Sequence, residues 1–591
     1  MTYLDRVNSP ADVKKMTAEE LKGLAADIRE GILKRDSLIG GHVGPNLGFV
    51  EATLALHYVF NSPEDKIVYD VSHQCYAHKM ITGRKNGFLN PDDYAKISGY
   101  TNPHESEHDH FVIGHTSTSV SLASGLAKAR DLKGEKYNVI AVIGDGSLSG
   151  GEALEGLDFA GSELGTNFIV VVNDNQMSIA ENHGGLYNNL KQLRESNGKA
   201  ETNLFKALGY DYLYVADGND IEALIAAFRQ VKDSTKPVVV HLNTLKGKGY
   251  KPAEEHKEPW HWSVPFDVKS GEKTADFGGG ENYNDLTYDF LLNKIRESDA
   301  GKGGKVAVLT AGTPGVFGFT PERRAELGSH YIDVGIAEEH AVAMASALAK
   351  GGCRPVFCVY SSFIQRTYDQ LSQDLAINSN PAVILVFGAG LSPMDATHLG
   401  CFDMAMAANI PNIVYLTPAT KEEYLAMLEW GMTQTKRPVI IRVPGEVVSD
   451  GAAMKAEAAE VKRLNVVEKG EGVAILAVGD FLELGRQAAA KLKEKGIHAT
   501  VAAVRCVSEP DEAALAELAK THKVAVTLED GVLDGGFGEK VARYYGATAL
   551  KVLAYGGRKE FTDREPLDEI YRKNRLEPEM IAEDVLKLLE A

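Results

Sequence analysis

AVIGDGSLSGGEALEGLDFAGSELGTNFIVVVNDNQM, residues 141–177, is the stretch around which the rest of the chain is organised. The apolar runs 138–143 and 168–172 have the length and β-branched content of buried parallel strands, and residues 152–163 between them read as a helix. Strand, glycine turn, helix and second strand make one α/β unit. Gly144-Asp145-Gly146, followed by Ser147, sets a carboxylate at the carboxyl end of the first strand, between glycines that let the backbone approach a ligand closely. Asn173-Asp174-Asn175 ends the next strand, so Asn175 follows Asp145 by thirty residues. In a doubly wound sheet such neighbouring ends meet. The Asp145 carboxylate, the Asn175 amide oxygen and a backbone carbonyl would then offer hard oxygen ligands to a magnesium ion that keeps room for phosphate oxygens. A plainer reading stays open at this point, in which Asp145 only caps a helix.

At 591 residues the chain exceeds a single core, and about two to four domains are expected. With 44% hydrophobic and 25% charged residues it has ordinary globular composition. Its net charge of −19 argues against nucleic acid or an anionic membrane as a partner, so any phosphate recognition must be local. The amino terminus has no charged-then-apolar signal layout, and no apolar run reaches membrane-spanning length. Five scattered cysteines show neither zinc spacing nor an even framework, which fits a reduced cytoplasm.

Residues 17–35 alternate acids, bases and leucines at helical spacing. LIGGHVGPNLGFVEATLALHYVF (38–60) puts His42 in a loop of glycines and a proline ahead of a helix at 50–60. IVYDVSHQCYAHK (67–79) reads as a strand ending in His73 and His78, and a third loop sets His115 just before a small-residue helix. A lone histidine in such a loop is more often structural, but histidines clustered at strand-to-helix loops suit proton traffic or anion contact near neutral pH. Their spacing is not that of zinc ligands. Residues 180–200 are polar and Asn-rich, expected to be a covering loop. Strands at 212–216 and 238–244 follow, the second running into Lys246-Gly-Lys-Gly-Tyr250, where a lysine between glycines could reach a diphosphate or simply sit in a basic turn. His261 lies between two of the three tryptophans, as in a lid over an apolar pocket, and residues 271–285 read as a linker.

From residue 305 the same alternation of strands and helices restarts, which argues a second parallel α/β sheet. Ile336-Ala337-Glu338-Glu339-His340 opens an otherwise apolar helix, so one glutamate should point into a buried seam. A carboxyl there has a raised pKa and can share a proton with a ring nitrogen. Downstream, VYSSFIQRTYDQ offers Tyr360 and Phe363, the latter able to stack on an aromatic ring or merely to pack. A second linker is expected at 446–464. The block after it is again α/β, without clustered catalytic residue types, and is assigned to assembly.

The ordered set GGH (40–42), LGFVEAT, YDVSHQCYAHK, ESE with GHTSTSVS, GDG through NDNQMSI, KGKGY, HWSVPFD, DVGIAEEHAV, VYSSFIQRTYDQ and DATHLG is more specific than any member. Over nearly the whole chain it resembles the 1-deoxy-D-xylulose-5-phosphate synthase family of transketolase-like thiamine-diphosphate enzymes. The resemblance implies an α/β fold of three domains, namely a diphosphate domain at 1–275, a pyrimidine domain at 286–448 and a transketolase-type C-terminal domain at 465–591, usually in a homodimer. It implies thiamine diphosphate and Mg2+ as cofactors, with Asp145, Asn175 and the Met177 carbonyl on the metal. Gly144, Gly146, Ser147, His73, His115 and Lys246 would lie at the coenzyme. Glu338 would face the aminopyrimidine, and Phe363 would stack on it. His42, His261 and His398 would serve the reaction centre, with Tyr360, Arg366, Asp395 and Arg442 on the substrates.

The implied reaction decarboxylates pyruvate and joins the two-carbon unit to an aldehyde, by family default glyceraldehyde 3-phosphate, giving 1-deoxy-D-xylulose 5-phosphate for isoprenoid biosynthesis. Another acceptor, ketol transfer as in transketolase, and a non-catalytic cofactor-binding paralogue are the alternatives. A nucleotide-binding Rossmann protein is the weakest option, because no G-x-G-x-x-G opens a helix with an acidic residue following. The departures lie on the substrate side. Gly388 and Gly445 stand where the family carries arginines expected to clamp the acceptor's phosphate, SPMDATHLG is one residue shorter, and Pro45 and Asn46 replace small hydroxyl residues. Arginine grips phosphate through a bidentate fork, whereas glycine offers one amide.

Overall fold

The computed structural model describes residues 2–275 and 280–590; residues 276–279, inside the linker read at 271–285, lie outside the described residues. The chain divides into two compact units, Met1–Gly279 with Gly335–Ala337, and Gly280–Val334 with Glu338–Ala591.

The first unit is built on a five-stranded sheet, β1 (Lys66–Tyr69), β2 (Val139–Gly144), β3 (Phe168–Asp174), β4 (Asp211–Val215) and β5 (Pro237–Asn243), in the order β1-β2-β3-β5-β4. All pairs are parallel. Such a sheet is covered on both faces, so its strands read as continuous apolar runs, and every residue of β3 is buried. Residues alternating along β2 and β3 feed two different cores: Ile140, Val142, Ile169 and Val171 pack with the helices Ala18–Ile39 and Val50–Val59. Ala141, Ile143, Val170 and Val172 pack with Ser119–Lys133 and Gly151–Glu163.

The second unit carries two sheets. β6 (Val306–Thr310), β7 (Tyr331–Asp333), β8 (Arg354–Tyr360), β9 (Val383–Phe387), β10 (Val414–Leu416) and β11 (Val439–Arg442) pair in the parallel order β10-β11-β9-β8-β6-β7. β12 (Asn465–Glu468), β13 (Gly472–Val478), β14 (Thr500–Val504), β15 (His522–Val532) and β16 (Lys551–Gly557) follow, in the order β12-β14-β13-β15-β16, with only β12 antiparallel. One core runs from Leu309 and Ile384 of the former sheet to Leu476 and Val504 of the latter.

Three expectations are corrected. Residues 180–200 are not all loop, because Gly185–Glu195 is a helix. Its Asn-rich composition hides Leu190 and Leu193, which lie on its inner side, 2% and 0% exposed. The supposed loop after His42 is a short helix, Val43–Gly48, in which Pro45 falls in the first turn, where a missing N–H costs nothing. β1 stops at Tyr69. Val71 and Ser72 turn the chain with φ of 55° and 65°, so His73 sits in a turn and His78 in the helix Tyr76–Lys79. The second linker holds one short helix, Ala458–Val461. All five cysteines are free thiols, four of them buried and Cys353 half-buried. Among the described residues, no helix is long and apolar enough to cross a membrane.

Candidate active site

In the first unit the expected residues gather at the carboxyl edge of the sheet, because β2, β3 and β5 are neighbours and each ends in one of them. Gly144 is level with Asn173, and Asp174 with Asn243. Asp145, 1% exposed, follows β2, and its Oδ2 accepts a hydrogen bond from Asn182 Nδ2 at 2.7 Å. Burial and the nearby Asp174 push its pKa up to about 8. Asp174 faces the same burial but is held below the usual carboxylate range by the His241 ring, 2.8 Å away, and by Arg194. Asn175 is 9% exposed, and its Oδ1 accepts from the Met177 amide at 3.2 Å. A Cβ on Gly146 would lie 2.9 Å from Ser178, so glycine is needed for the two loops to meet. Ser147 is buried, and its carbonyl accepts from Ser117 Oγ at 2.8 Å, tying the His115 loop to the metal loop.

Beside these loops stands a cluster of rings. His42 meets His73 edge-on at 5.0 Å and His261 at 5.8 Å, while His73 stacks on His261 at 5.2 Å. Enclosure, with Lys246, His73 and His42 as neighbours, holds the His261 pKa well below its ordinary value. Lys246, 1% exposed, donates to the Ser178 carbonyl at 2.6 Å and lies 3.1 Å from His261 Nδ1. Burial lowers its pKa to about 7. Asn46 sets the backbone under this cluster. Its amide donates to the carbonyls of His42 and His73 at 2.7 and 2.6 Å and accepts from the Tyr76 amide at 2.9 Å.

In the second unit, Glu338 begins the helix Glu338–Lys350 and is 3% exposed. Burial pushes its pKa up to about 7, opposed by Arg366, whose Nη1 lies 3.6 Å from Oε2. The segment leading into this helix, Gly335–Ala337, belongs to the first unit, where the Ile336 amide donates to Ser149 Oγ at 3.0 Å. Phe363 follows β8, with Tyr360 at 5.6 Å and His398 edge-on at 5.8 Å between ring centroids. Asp395 lies 3.3 Å from His398 Nδ1 and also accepts from the Thr397 hydroxyl. Despite burial, His398 and Thr397 hold Asp395 at about 2.

Arg442 stands apart from this group. It is 5% exposed, with Nε 2.9 Å from Asp403 Oδ2 and Nη1 on Asp530, so two carboxylates already occupy the guanidinium expected to meet substrate. At Gly388, with φ of +63°, an added Cβ would lie 2.0 Å from the Tyr360 ring, which fills the space where a longer side chain would start. The Gly445 amide donates to Asp480 Oδ2 at 2.9 Å. Asp480 is accessible to solvent yet ringed by protein, and this enclosure with the charge of Asp530 pushes its pKa up to about 6.

Asp174, Asn182, Arg194 and His241 in the first unit, and Asp480 and Asp530 in the second, were not singled out from the sequence, and Asn46 was noted only as a departure from the family's small hydroxyl residues. Only Asp174 carried a signal, as the middle residue of the Asn-Asp-Asn strand end; the others act through partners distant in the chain.

Residues 291–448 match the transketolase pyrimidine-binding domain and residues 462–560 the transketolase C-terminal domain. With three α/β sheets, parallel but for β12, the chain is a transketolase-type thiamine-diphosphate enzyme of three domains. Residues 4–202 and 196–244 match the family described as 1-deoxy-D-xylulose-5-phosphate synthase. The enzyme of that name from Symbiobacterium thermophilum is 38% identical, the alignment covering 99% of this chain and 95% of that protein. That from Caldanaerobacter subterraneus subsp. tengcongensis is 37% identical over 99% of both, and that from Desulforudis audaxviator 38% identical over 93% and 91%. The chain belongs to the 1-deoxy-D-xylulose-5-phosphate synthase family.

Proposed function

We propose that the protein transfers a two-carbon unit from pyruvate, with loss of carbon dioxide, to glyceraldehyde 3-phosphate, giving 1-deoxy-D-xylulose 5-phosphate with thiamine diphosphate and a divalent cation. The observation that carries this reading is Glu338, a buried carboxyl with a raised pKa at the start of a helix, in a chain aligned to synthases of this name along its whole length.

The residues present fit the cofactors. Asp145 is a buried acid facing a second acid, Asp174, and a cation relieves that repulsion. Asp145, Asn175 and the Met177 carbonyl would hold Mg2+, and Gly144, Gly146 and Ser147 would let diphosphate oxygens approach the backbone, with His73 and His115 alongside. Glu338 Oε2 is buried beyond hydrogen-bond distance of any partner, with the Arg366 guanidinium 3.6 Å away, so the carboxyl keeps capacity for a ring nitrogen. Phe363 offers a face to the pyrimidine.

When bound, thiamine diphosphate supplies the carbon nucleophile for the 2-oxo acid and the sink for the electron pair left by carbon dioxide. Glu338, poised near pH 7, holds or yields a proton at its carboxyl oxygen without a large energetic step. Asp395, directly and through Thr397, draws the Nδ1 proton of His398, which leaves Nε2 as a proton acceptor. His42 and His261 act on the donor substrate, and Tyr360 and Arg366 on the acceptor. Arg442 is left to hold Asp403 and Asp530. The domains are read as 1–275, 286–448 and 465–591, the assembly as a homodimer and the compartment as the cytoplasm, the last supported by five unpaired thiols.

Purified protein given Mg2+, thiamine diphosphate, pyruvate and glyceraldehyde 3-phosphate should release carbon dioxide and form the deoxyketose phosphate, and Glu338→Ala should abolish both. Absence of coenzyme uptake by calorimetry would overturn the reading.

A further inference from the structure

Lys246 resembles a diphosphate ligand in sequence, yet its buried ammonium is committed elsewhere. It donates to the Ser178 carbonyl at 2.6 Å, next to the metal loop, and lies 3.1 Å from His261 Nδ1. In its protonated form, which the nearby Asp145 favours, Lys246 has three donors and no acceptor, so the nitrogen facing it must present a lone pair. The ring proton of His261 is then on Nε2. Two other rings, His73 and His42, pack against the same imidazole, so it cannot swing to offer its other edge. The Ser178 carbonyl is shared: it neighbours the His261 ring and accepts from Lys246.

We propose that Lys246 is a positioning residue that locks His261 in the Nε2–H form, making it a hydrogen-bond donor to the carbonyl or carboxylate oxygen of the 2-oxo acid rather than a base. The proposal rests on the assignment of His261 to the reaction centre made above.

Two measurements test it, one of which needs no turnover. In protein labelled with 15N in its histidine rings, without coenzyme, the His261 signals are assigned by their loss in His261→Gln. Nδ1 should show the shift of an unprotonated nitrogen and Nε2 that of a protonated one, with the pattern collapsing to a tautomer mixture in Lys246→Met. A protonated Nδ1 in the parent protein overturns the proposal, whatever the enzyme's activity. In kinetics, Lys246→Met should lower kcat roughly 30- to 300-fold while the Kd for thiamine diphosphate with Mg2+ changes less than threefold, and Lys246→Arg should recover at least a tenth of the parent kcat. Combined with His261→Gln, Lys246→Met should cost less than a further threefold. Losses that multiply, or a coenzyme Kd weakened thirtyfold with kcat intact at saturation, would show a lysine that acts on the diphosphate instead.

Discussion

Near pH 7 Glu338 sits at the midpoint of its own titration, and the cost of that placement is measurable. Its pKa in the fold is raised from 4.5 to about 7, so below about pH 4.5 the group contributes nothing against folding. As pH rises, the unfolded chain ionises first, and the native state loses up to about 3 kcal/mol by the time the folded pKa is passed. Glu338→Gln should therefore unfold at the same denaturant concentration as the parent at pH 4.5 and at a higher one at pH 8, while turnover falls more than a hundredfold. A difference between the two proteins that does not change with pH would show the carboxyl to be unperturbed. Asp480 has the opposite sense for substrate. Gly388 and Gly445 offer no side chain to a phosphate, Arg442 is held by Asp403 and Asp530, and the Gly445 amide points to a carboxylate. Asp480→Asn should raise kcat/KM for glyceraldehyde 3-phosphate by roughly three- to tenfold and leave free glyceraldehyde nearly unchanged. An equal effect on both aldehydes would place Asp480 away from the phosphate.

At the scale of elements, Asn46 shows how a short helix is made to serve the site. It is 1% exposed, and its three hydrogen bonds join Val43–Gly48 to the turn carrying His73 and the helix carrying Tyr76. Asn46→Ala removes all three of these hydrogen bonds, and should cost roughly 1–3 kcal/mol in denaturant unfolding and lower kcat as His42 and His73 lose register. An unfolding midpoint equal to the parent's would mean that water replaces the side chain. What the sequence revealed divides along the same line. The strand, turn, helix and strand of residues 138–174 were legible because apolar runs and glycine punctuation are local, and Glu338 because an acid at the head of an apolar helix is a local contradiction. The helix Gly185–Glu195 was hidden by its asparagines. The roles of Asn46, Asn182 and Arg194 were hidden because these side chains reach partners 27, 37 and 20 residues away, and no periodicity encodes such pairs.

Across the whole molecule, two compact units with separate cores should not unfold as one. Calorimetry should resolve at least two transitions, and Mg2+ with thiamine diphosphate should raise at least one of them, by about 2.7 kcal/mol at a hundred times Kd, reversibly on adding a chelator. A single transition unmoved by coenzyme would contradict both the division and the site. The cysteines supply a way to tell the halves apart. Cys75 is buried in the first unit and Cys358, Cys401 and Cys506 in the second, leaving Cys353 as the least buried of the five thiols. Burial also pushes Cys75 up to about 12 and Cys401 up to about 11, so few thiolates form even when a reagent arrives. A brief pulse of an alkylating agent on the intact protein therefore marks Cys353 first. Any mass added at Cys75 before the three sulfurs of the other half dates the opening of the first unit, giving a chemical clock that needs neither engineered labels nor catalytic activity.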